Sequence, residues 1–222
     1  MMSNDIASRL DRATEDRRLL NHPFYQAWAE GTLTVEDLAF YSKQYWRQVE
    51  AFPGYLDNLD SRVPDGTTKE ILRENLKDEI GGDHPGLWLR FASAVGVPAP
   101  EVRESTAEHE TEECVSTFNL ATKEASVPFA LGMLYAYESQ TPEVAKTKVA
   151  GLRQHYGIDG EDIHYFELHG ELDVDHADGL AGALAESTQT EEDLQQAEAG
   201  AATGARAIWG LLDGVARVRD IG

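Results

Sequence analysis

The chain has 222 residues, of which 41% are hydrophobic and 9% aromatic, a composition typical of a soluble globular protein. Acidic residues outnumber basic ones by 40 to 19, and the resulting formal charge of -21 argues against nucleic-acid binding and against binding to anionic membranes. The single cysteine, Cys114, excludes an internal disulfide and a cysteine-rich metal site. No apolar run is long enough to span a bilayer, and the first twenty residues lack the apolar region of a signal peptide. We therefore expect a cytoplasmic protein.

Lysine is scarce, with six lysines against thirteen arginines. The acidic residues are spread along the whole chain rather than gathered in a tail. Repulsion between such charges is screened by salt. We therefore expect a protein that stays soluble and stable at high salt, as halophilic proteins do.

Helix signals recur along the chain, and no long stretch alternates apolar and polar residues as a half-buried strand would. Residues Thr34 to Asp37 resemble a capping box, and apolar residues follow at helical spacing. The other predicted helices cover, in chain order, about 67–79, 85–95, 101–125, 128–138, 142–151, 164–186 (one or two helices around Gly170) and 191–219. The sequence predicts one all-α domain over residues 1–222, a bundle of seven to eight helices with its core at about 20–215.

One predicted helix contains a candidate metal-binding face. His169, Asp173 and His176 are spaced so that all three point along one side of a helix, one turn apart. Two imidazoles and a carboxylate on one face suit iron or manganese and leave coordination positions open for water or dioxygen. The alternative is the exposed face of a charged helix, because acidic residues lie between these three positions.

Two other segments contain potential ligands. Glu138 ends an apolar helix, where a carboxylate is costly to bury unless it is paired or bound to a metal ion. Glu79 ends one helix and His84 begins the next, on either side of a glycine turn. Read singly, each segment is also explained by a polar helix end or loop. Together, inward carboxylates and histidines in a helical bundle are typical of a dinuclear iron or manganese site. The candidate ligands are Glu79, His84, Glu138, His169, Asp173 and His176.

Five segments resemble the heme-oxygenase-like helical superfamily that includes the TenA and pyrroloquinoline-quinone synthase (PqqC) groups. Within it, the chain is most similar to the dimetal oxidase branch and to the CADD-type proteins of folate metabolism. The similarity spans about residues 20–215, and the spacing of His169, Asp173 and His176 matches the ligand motif of the family. The segments are 22–28, 40–46, 78–85, 135–140 and 165–176.

The resemblance implies an oxygen-dependent para-aminobenzoate synthase that consumes one of its own tyrosines and supplies folate or pterin cofactor synthesis. The sacrificed tyrosine falls on Tyr25 and its aromatic neighbour on Tyr41. The lysine implicated in supplying the amino group falls on Lys148, with Lys146 as the near alternative. Two transition-metal ions (two irons, or iron with manganese), dioxygen as co-substrate and an external reductant are implied. We also expect a homodimer.

The first half of the ligand set departs from the family pattern, because Glu79 and His84 are about two residues closer together than expected. A shortened glycine turn would keep Glu79 as the ligand, and Asp78 is the alternative. Tyr25 and Tyr41 could also be packing residues, and Lys148 an ordinary surface lysine.

Two other functions are compatible with the sequence. One is a TenA-like hydrolase of thiamine salvage that uses Cys114 as its nucleophile and needs no metal. The other is a non-enzymatic interaction protein, since CADD-type proteins take their name from binding death domains. Metal content distinguishes the oxidase from both.

Overall fold

The computed structural model describes residues 3–222, which contain eleven α-helices and no β-strand. The predicted all-α class is confirmed, and the helices are more numerous than the seven to eight expected because several are short. None of these helices is both long and apolar enough to cross a bilayer. The helices are α1 (Ser3–Thr14), α2 (Pro23–Glu30), α3 (Val35–Asp60), α4 (Thr67–Gly81), α5 (His84–Ala94), α6 (Ala99–Glu104), α7 (His109–Glu124), α8 (Val127–Glu138), α9 (Thr141–Gly151), α10 (His164–Ser187) and α11 (Glu191–Arg219).

The capping box predicted for α3 is confirmed. The Thr34 hydroxyl accepts a hydrogen bond from the Asp37 backbone N–H at 3.2 Å, and the Asp37 carboxylate accepts one from the Thr34 N–H at 2.8 Å. Each such cap contributes about 1 kcal/mol to helix stability. It begins the 26-residue helix that supplies many of the aromatic residues of the core.

The predicted helix over 101–125 is wrong, because the chain leaves helical geometry between α6 and α7. Two side chains of α3 satisfy the backbone there instead. The Gln44 amide donates to the Thr106 carbonyl at 3.0 Å and accepts from the Glu108 N–H at 2.8 Å. The Arg47 guanidinium donates to the Ser105 carbonyl. Tertiary hydrogen bonds therefore stabilise a loop that local propensity does not predict.

Helix α8 lies in the interior, with ten of its twelve residues buried. It packs backbone to backbone against α11, and glycine is required at the contacts. A Cβ at Gly200 would lie 2.0 Å from the Phe129 carbonyl oxygen, and one at Gly132 would lie 2.2 Å from the Ala197 carbonyl oxygen. This packing fixes the end of α8, where Glu138 lies, deep in the bundle.

Helix α10 runs unbroken through Gly170, so the segment predicted as one or two helices is a single helix. Gly170 is buried and faces α9, where a Cβ would meet Ala145 and Lys146 at an ordinary contact distance of 3.9 Å. The glycine does not interrupt the helix, and the face with His169 and Asp173 stays continuous.

Candidate metal centre

The three predicted ligands of α10 are all buried and lie on its inner face. The Nδ1 atom of His169 lies 2.7 Å from the Tyr165 carbonyl oxygen. A carbonyl only accepts hydrogen bonds, so Nδ1 bears the proton and Nε2 is the nitrogen free to bind a metal. His176 has Nδ1 3.6 Å from the Asp173 carboxylate and Nε2 3.4 Å from the carboxylate of Asp78.

Glu79 and His84 meet across the turn between α4 and α5. The His84 Nδ1 atom lies 2.7 Å from the Glu79 carboxylate, and both side chains are buried. A side chain at Gly82 would displace the His84 ring, because a Cβ there would lie 2.5 Å from His84 Nε2. The side chain of Asp78, the alternative ligand, is 47% exposed. The shortened turn thus leaves Glu79, not Asp78, facing the interior beside His84.

The two halves of the predicted set come together at one place. One ligand atom each from Glu79, His84 and His169 lies within 4.8 Å of the other two. The imidazole rings of His84 and His169 are 4.6 Å apart between centroids. A cavity of about 10 Å³, here called the inner cavity, is lined by Glu79, Glu138, His169 and Asp173, together with Val49, Phe52, Tyr137 and Tyr165.

Glu138 is the most deeply buried carboxylate of the set. Burial, and then the negative charge of Asp173, raise its pKa above the ordinary value for a glutamate. The Asn75 amide donates to Glu138 Oε1 at 2.8 Å, which favours the ionised form and partly opposes that shift. Burial alone would lower the pKa of His176, but the carboxylates of Asp173 and Glu138 raise it to about 9. The centre therefore combines one glutamate that resists ionisation with an imidazole that favours the charged form.

Some ligand-type atoms here lack a hydrogen-bond partner although they are buried. They are His84 Nε2 and Glu138 Oε2, whereas His176 Nδ1 has the Asp173 carboxylate at 3.6 Å. A buried polar atom without a partner costs about 1–3 kcal/mol, so an interior that gathers two of them is unfavourable unless something binds there. Imidazole nitrogen and carboxylate oxygen are the donors that iron and manganese accept. The residues present fit a metal site.

A second cluster, here called the lysine cluster, contains Tyr25, Tyr41 and Lys148 from α2, α3 and α9. Lys148 is only 4% exposed, and its Nζ donates to the Tyr41 hydroxyl at 2.7 Å. The Tyr41 hydroxyl is in turn 3.4 Å from that of Tyr25. Five aromatic rings lie with their centroids 5.0–5.9 Å from Nζ, those of Tyr25, Trp28, Tyr41, Tyr45 and Phe166. Burial lowers the pKa of Lys148 to about 7.

Tyrosines connect the lysine cluster to the inner cavity. The Tyr45 hydroxyl donates to that of Tyr137 at 3.0 Å, and Tyr137 lines the inner cavity. The rings of Tyr41 and Tyr45 are 5.2 Å apart between centroids. Tyr25 is thus in contact with a continuous aromatic core that reaches the candidate metal ligands.

Cys114 lies outside both clusters. It is buried, its Sγ is 4.0 Å from the Gln48 amide oxygen, and burial raises its pKa well above the ordinary value. A nucleophilic cysteine requires the opposite shift, toward the thiolate. The geometry therefore does not favour a hydrolase that uses this thiol.

Comparison with known proteins identifies the family of this chain. Residues 39–209 match the family described as iron-containing redox enzymes. The chain belongs to this family. It is 35% identical to the 4-aminobenzoate synthase of Nitrosomonas europaea over 97% of this chain and 92% of that protein, and 36% identical to that of Chlamydia pneumoniae over 76% of each. A TenA homologue from Pseudomonas syringae has the same fold, with a TM-score of 0.84 at 15% identity over 98% of this chain and 96% of that one. The expected heme-oxygenase-like family and a metal-dependent enzyme are confirmed.

Other residues beside the candidate centre were not identified as functional by sequence analysis. Asn75 binds Glu138 and lies one helical turn before Glu79, and Tyr45 and Tyr137 join the two clusters. For Asn75 the available signal was spacing, since it shares a helix face with Glu79. Tyr45 and Tyr137 lie in two of the segments that carry the family resemblance. Polar and aromatic residues at that spacing are common in helices of any function.

Proposed function

We propose that this enzyme makes para-aminobenzoate in an oxygen-dependent reaction at a dinuclear metal centre, and that its own Tyr25 supplies the ring. Relatives that are 35–36% identical are 4-aminobenzoate synthases, and the alignment with the Nitrosomonas europaea protein covers nearly the whole of both chains. The product would supply folate or pterin cofactor synthesis.

Six buried side chains would hold the two ions, either two irons or iron with manganese. Glu79 is preferred over Asp78 because it is 5% exposed and hydrogen-bonded to His84, whereas the side chain of Asp78 is half exposed. When bound, the metal ions supply the activation of dioxygen, with electrons from an external reductant. The proposed ligands are Glu79, His84, Glu138, His169, Asp173 and His176.

The observation that carries the proposal is the burial of Lys148 against Tyr25. A lysine out of water is costly to keep charged, and the lowered pKa makes a large fraction of this amine neutral near pH 7. A neutral amine has the lone pair that a nitrogen donor needs. The groups around its Nζ are aromatic rings and the Tyr41 hydroxyl. Such an environment suits an amine that reacts rather than one that stabilises the fold.

The neighbouring residues hold the reacting groups in place. Tyr41 binds the Lys148 amine and approaches the Tyr25 hydroxyl, so it positions both. Tyr25 is buried, and no diffusing substrate has to bind, so proximity supplies much of the catalysis. The consequence is that each chain turns over at most once.

Variants of two buried tyrosines test the proposal. The protein is reconstituted with ferrous ion, with and without manganese, and then given reductant and dioxygen, and para-aminobenzoate is measured by chromatography and mass spectrometry. Tyr25→Phe should abolish the product while metal still binds, because phenylalanine keeps the packing and removes the phenolic oxygen. Tyr55→Phe, at a buried tyrosine outside both clusters, should retain it. Product from Tyr25→Phe, or more than one product per chain, would show that the ring has another source.

Lys148→Arg tests the amine donor separately. Arginine keeps a positive charge but stays protonated, so it cannot donate an amine. We expect loss of product with unchanged metal content. Normal product formation in this variant would exclude Lys148 as the nitrogen source while leaving the role of Tyr25 open.

A further inference from the structure

A second cavity lies directly outside the candidate metal centre. It has a volume of about 420 Å³ and is bounded by α1, by the connection from α8 to α9, and by α10. We call it the α1–α10 cavity. Its walls include Asp11, Tyr135, Ser139, Glu143, Asp173 and Asp178.

Asp173 belongs to the walls of both the α1–α10 cavity and the inner cavity. It is buried, and among residues 3–222 it is the one residue that the two walls share. Glu138 also lines the inner cavity, and its Oε2 atom is buried without a hydrogen-bond partner. A larger cavity of about 590 Å³ between α9 and α10, the α9–α10 cavity, has none of the six candidate ligands in its walls.

The α1–α10 cavity is negatively charged. Four carboxylates line it, against the two cations Arg18 and Lys146, and Arg18 lies 4.0 Å from the carboxylate of Glu143. A recess with an excess of one sign of charge and walls of low-dielectric protein raises the local concentration of the opposite ion and its rate of association. The Tyr135 hydroxyl donates to Asp11 at 3.1 Å, which ties α8 to α1 at this wall.

We propose that the α1–α10 cavity is the route by which a divalent cation, ferrous or manganous, reaches the buried ligands, with Asp173 as the last group before the inner cavity. The inference rests on the metal ligation proposed above. The carboxylates of the outer cavity attract the hydrated ion, and Asp173 passes it to the unpartnered oxygen and nitrogen atoms of the interior.

A pair of matched alanine variants tests the route. Ala177 lines the α1–α10 cavity and Ala150 lines the α9–α10 cavity. Metal-free protein is mixed with manganous ion without dioxygen, and uptake is followed by the loss of the free-ion electron paramagnetic resonance signal. Ala177→Trp should slow uptake about tenfold or more while the final metal content stays unchanged, and Ala150→Trp should match the wild type. Equal rates in all three proteins, or slowing only in Ala150→Trp, would overturn the route.

A charge variant keeps the test decisive if the tryptophan at position 177 disturbs the fold. Glu143 and Asp178 are exposed residues of the outer wall, and Glu143→Gln with Asp178→Asn removes two charges without adding volume. Uptake should become slower at low salt and less sensitive to added salt than in the wild type. An unchanged rate and salt dependence would contradict the inference. A wild-type protein that takes up no metal would instead refute the proposed function itself.

Discussion

Replacing Lys148 by methionine should make the protein more stable at neutral pH. The ordinary pKa of lysine is about 10.5, and burial lowers that of Lys148 to about 7. At pH 7 the unfolded chain holds this proton and about half of the folded molecules have lost it, a difference that costs about 4 kcal/mol of folding free energy. Methionine has a similar volume and no charge, and it loses only the hydrogen bond to Tyr41, about 1 kcal/mol. The net gain should be about 2–3 kcal/mol.

The stability difference between Lys148→Met and the wild type should depend on pH. Between the folded and unfolded pKa values the unfolded state binds more protons, so the penalty from Lys148 shrinks as pH rises from 7 toward 10.5. In urea unfolding at equal metal content, the advantage of Lys148→Met over the wild type should fall by about 1.4 kcal/mol per pH unit between pH 7.5 and 9. Lys123→Met, at an exposed lysine of α7, should differ from the wild type by less than about 0.5 kcal/mol at every pH. A less stable Lys148→Met with no pH-dependent difference would refute the reasoning, because the amine would then be charged and well solvated in the folded protein.

Three further predictions concern metal and salt. Asn75→Leu removes the hydrogen bond to Glu138 and should weaken manganous-ion binding about 10- to 100-fold in a calorimetric titration. The control Asn58→Leu, which removes a hydrogen bond between the Asn58 and Asn119 amides, should bind the ion as the wild type does. Equal affinities for the two variants would show that Asn75 does not orient Glu138. Removing bound metal with a chelator should lower the melting temperature, because His84 Nε2 and Glu138 Oε2 then stay buried without partners. An unchanged melting temperature after proven metal removal would contradict a buried metal site. The free energy of unfolding should rise between low and molar salt, since salt screens the repulsion of a chain with charge -21, and a flat response would refute the halophilic interpretation.

The parts of the fold that follow from local signals were predictable from the sequence. The α3 cap requires only Thr34 and Asp37, and the ends of α4, α9 and α11 lie within two residues of their predicted positions. The break between α6 and α7 was not predictable, because its stability comes from Gln44, a residue more than sixty positions away in sequence. Local propensity contains no information about such a contact.

The candidate site was also predictable from the sequence only in part. The candidate ligands of α10 share one helix, so their spacing alone predicts that they lie on a common face. Whether Glu79 or Asp78 faces inward depends on the conformation of the turn around Gly82, which spacing leaves open. The contact of Lys148 with Tyr25 joins helices that are distant in sequence. The resemblance to CADD-type proteins pointed to both residues, but their burial and distance required the three-dimensional structure.

The central claim, that the protein consumes its own tyrosine, is tested most directly by the mass of the chain after turnover. Protein containing ring-¹³C tyrosine is reconstituted with metal and given reductant, dioxygen and unlabelled free tyrosine. The account predicts ring-labelled para-aminobenzoate at no more than one equivalent per chain, together with a loss of mass that maps to the peptide containing Tyr25. Unlabelled product, or labelled product from chains whose Tyr25 peptide keeps its mass, would contradict it.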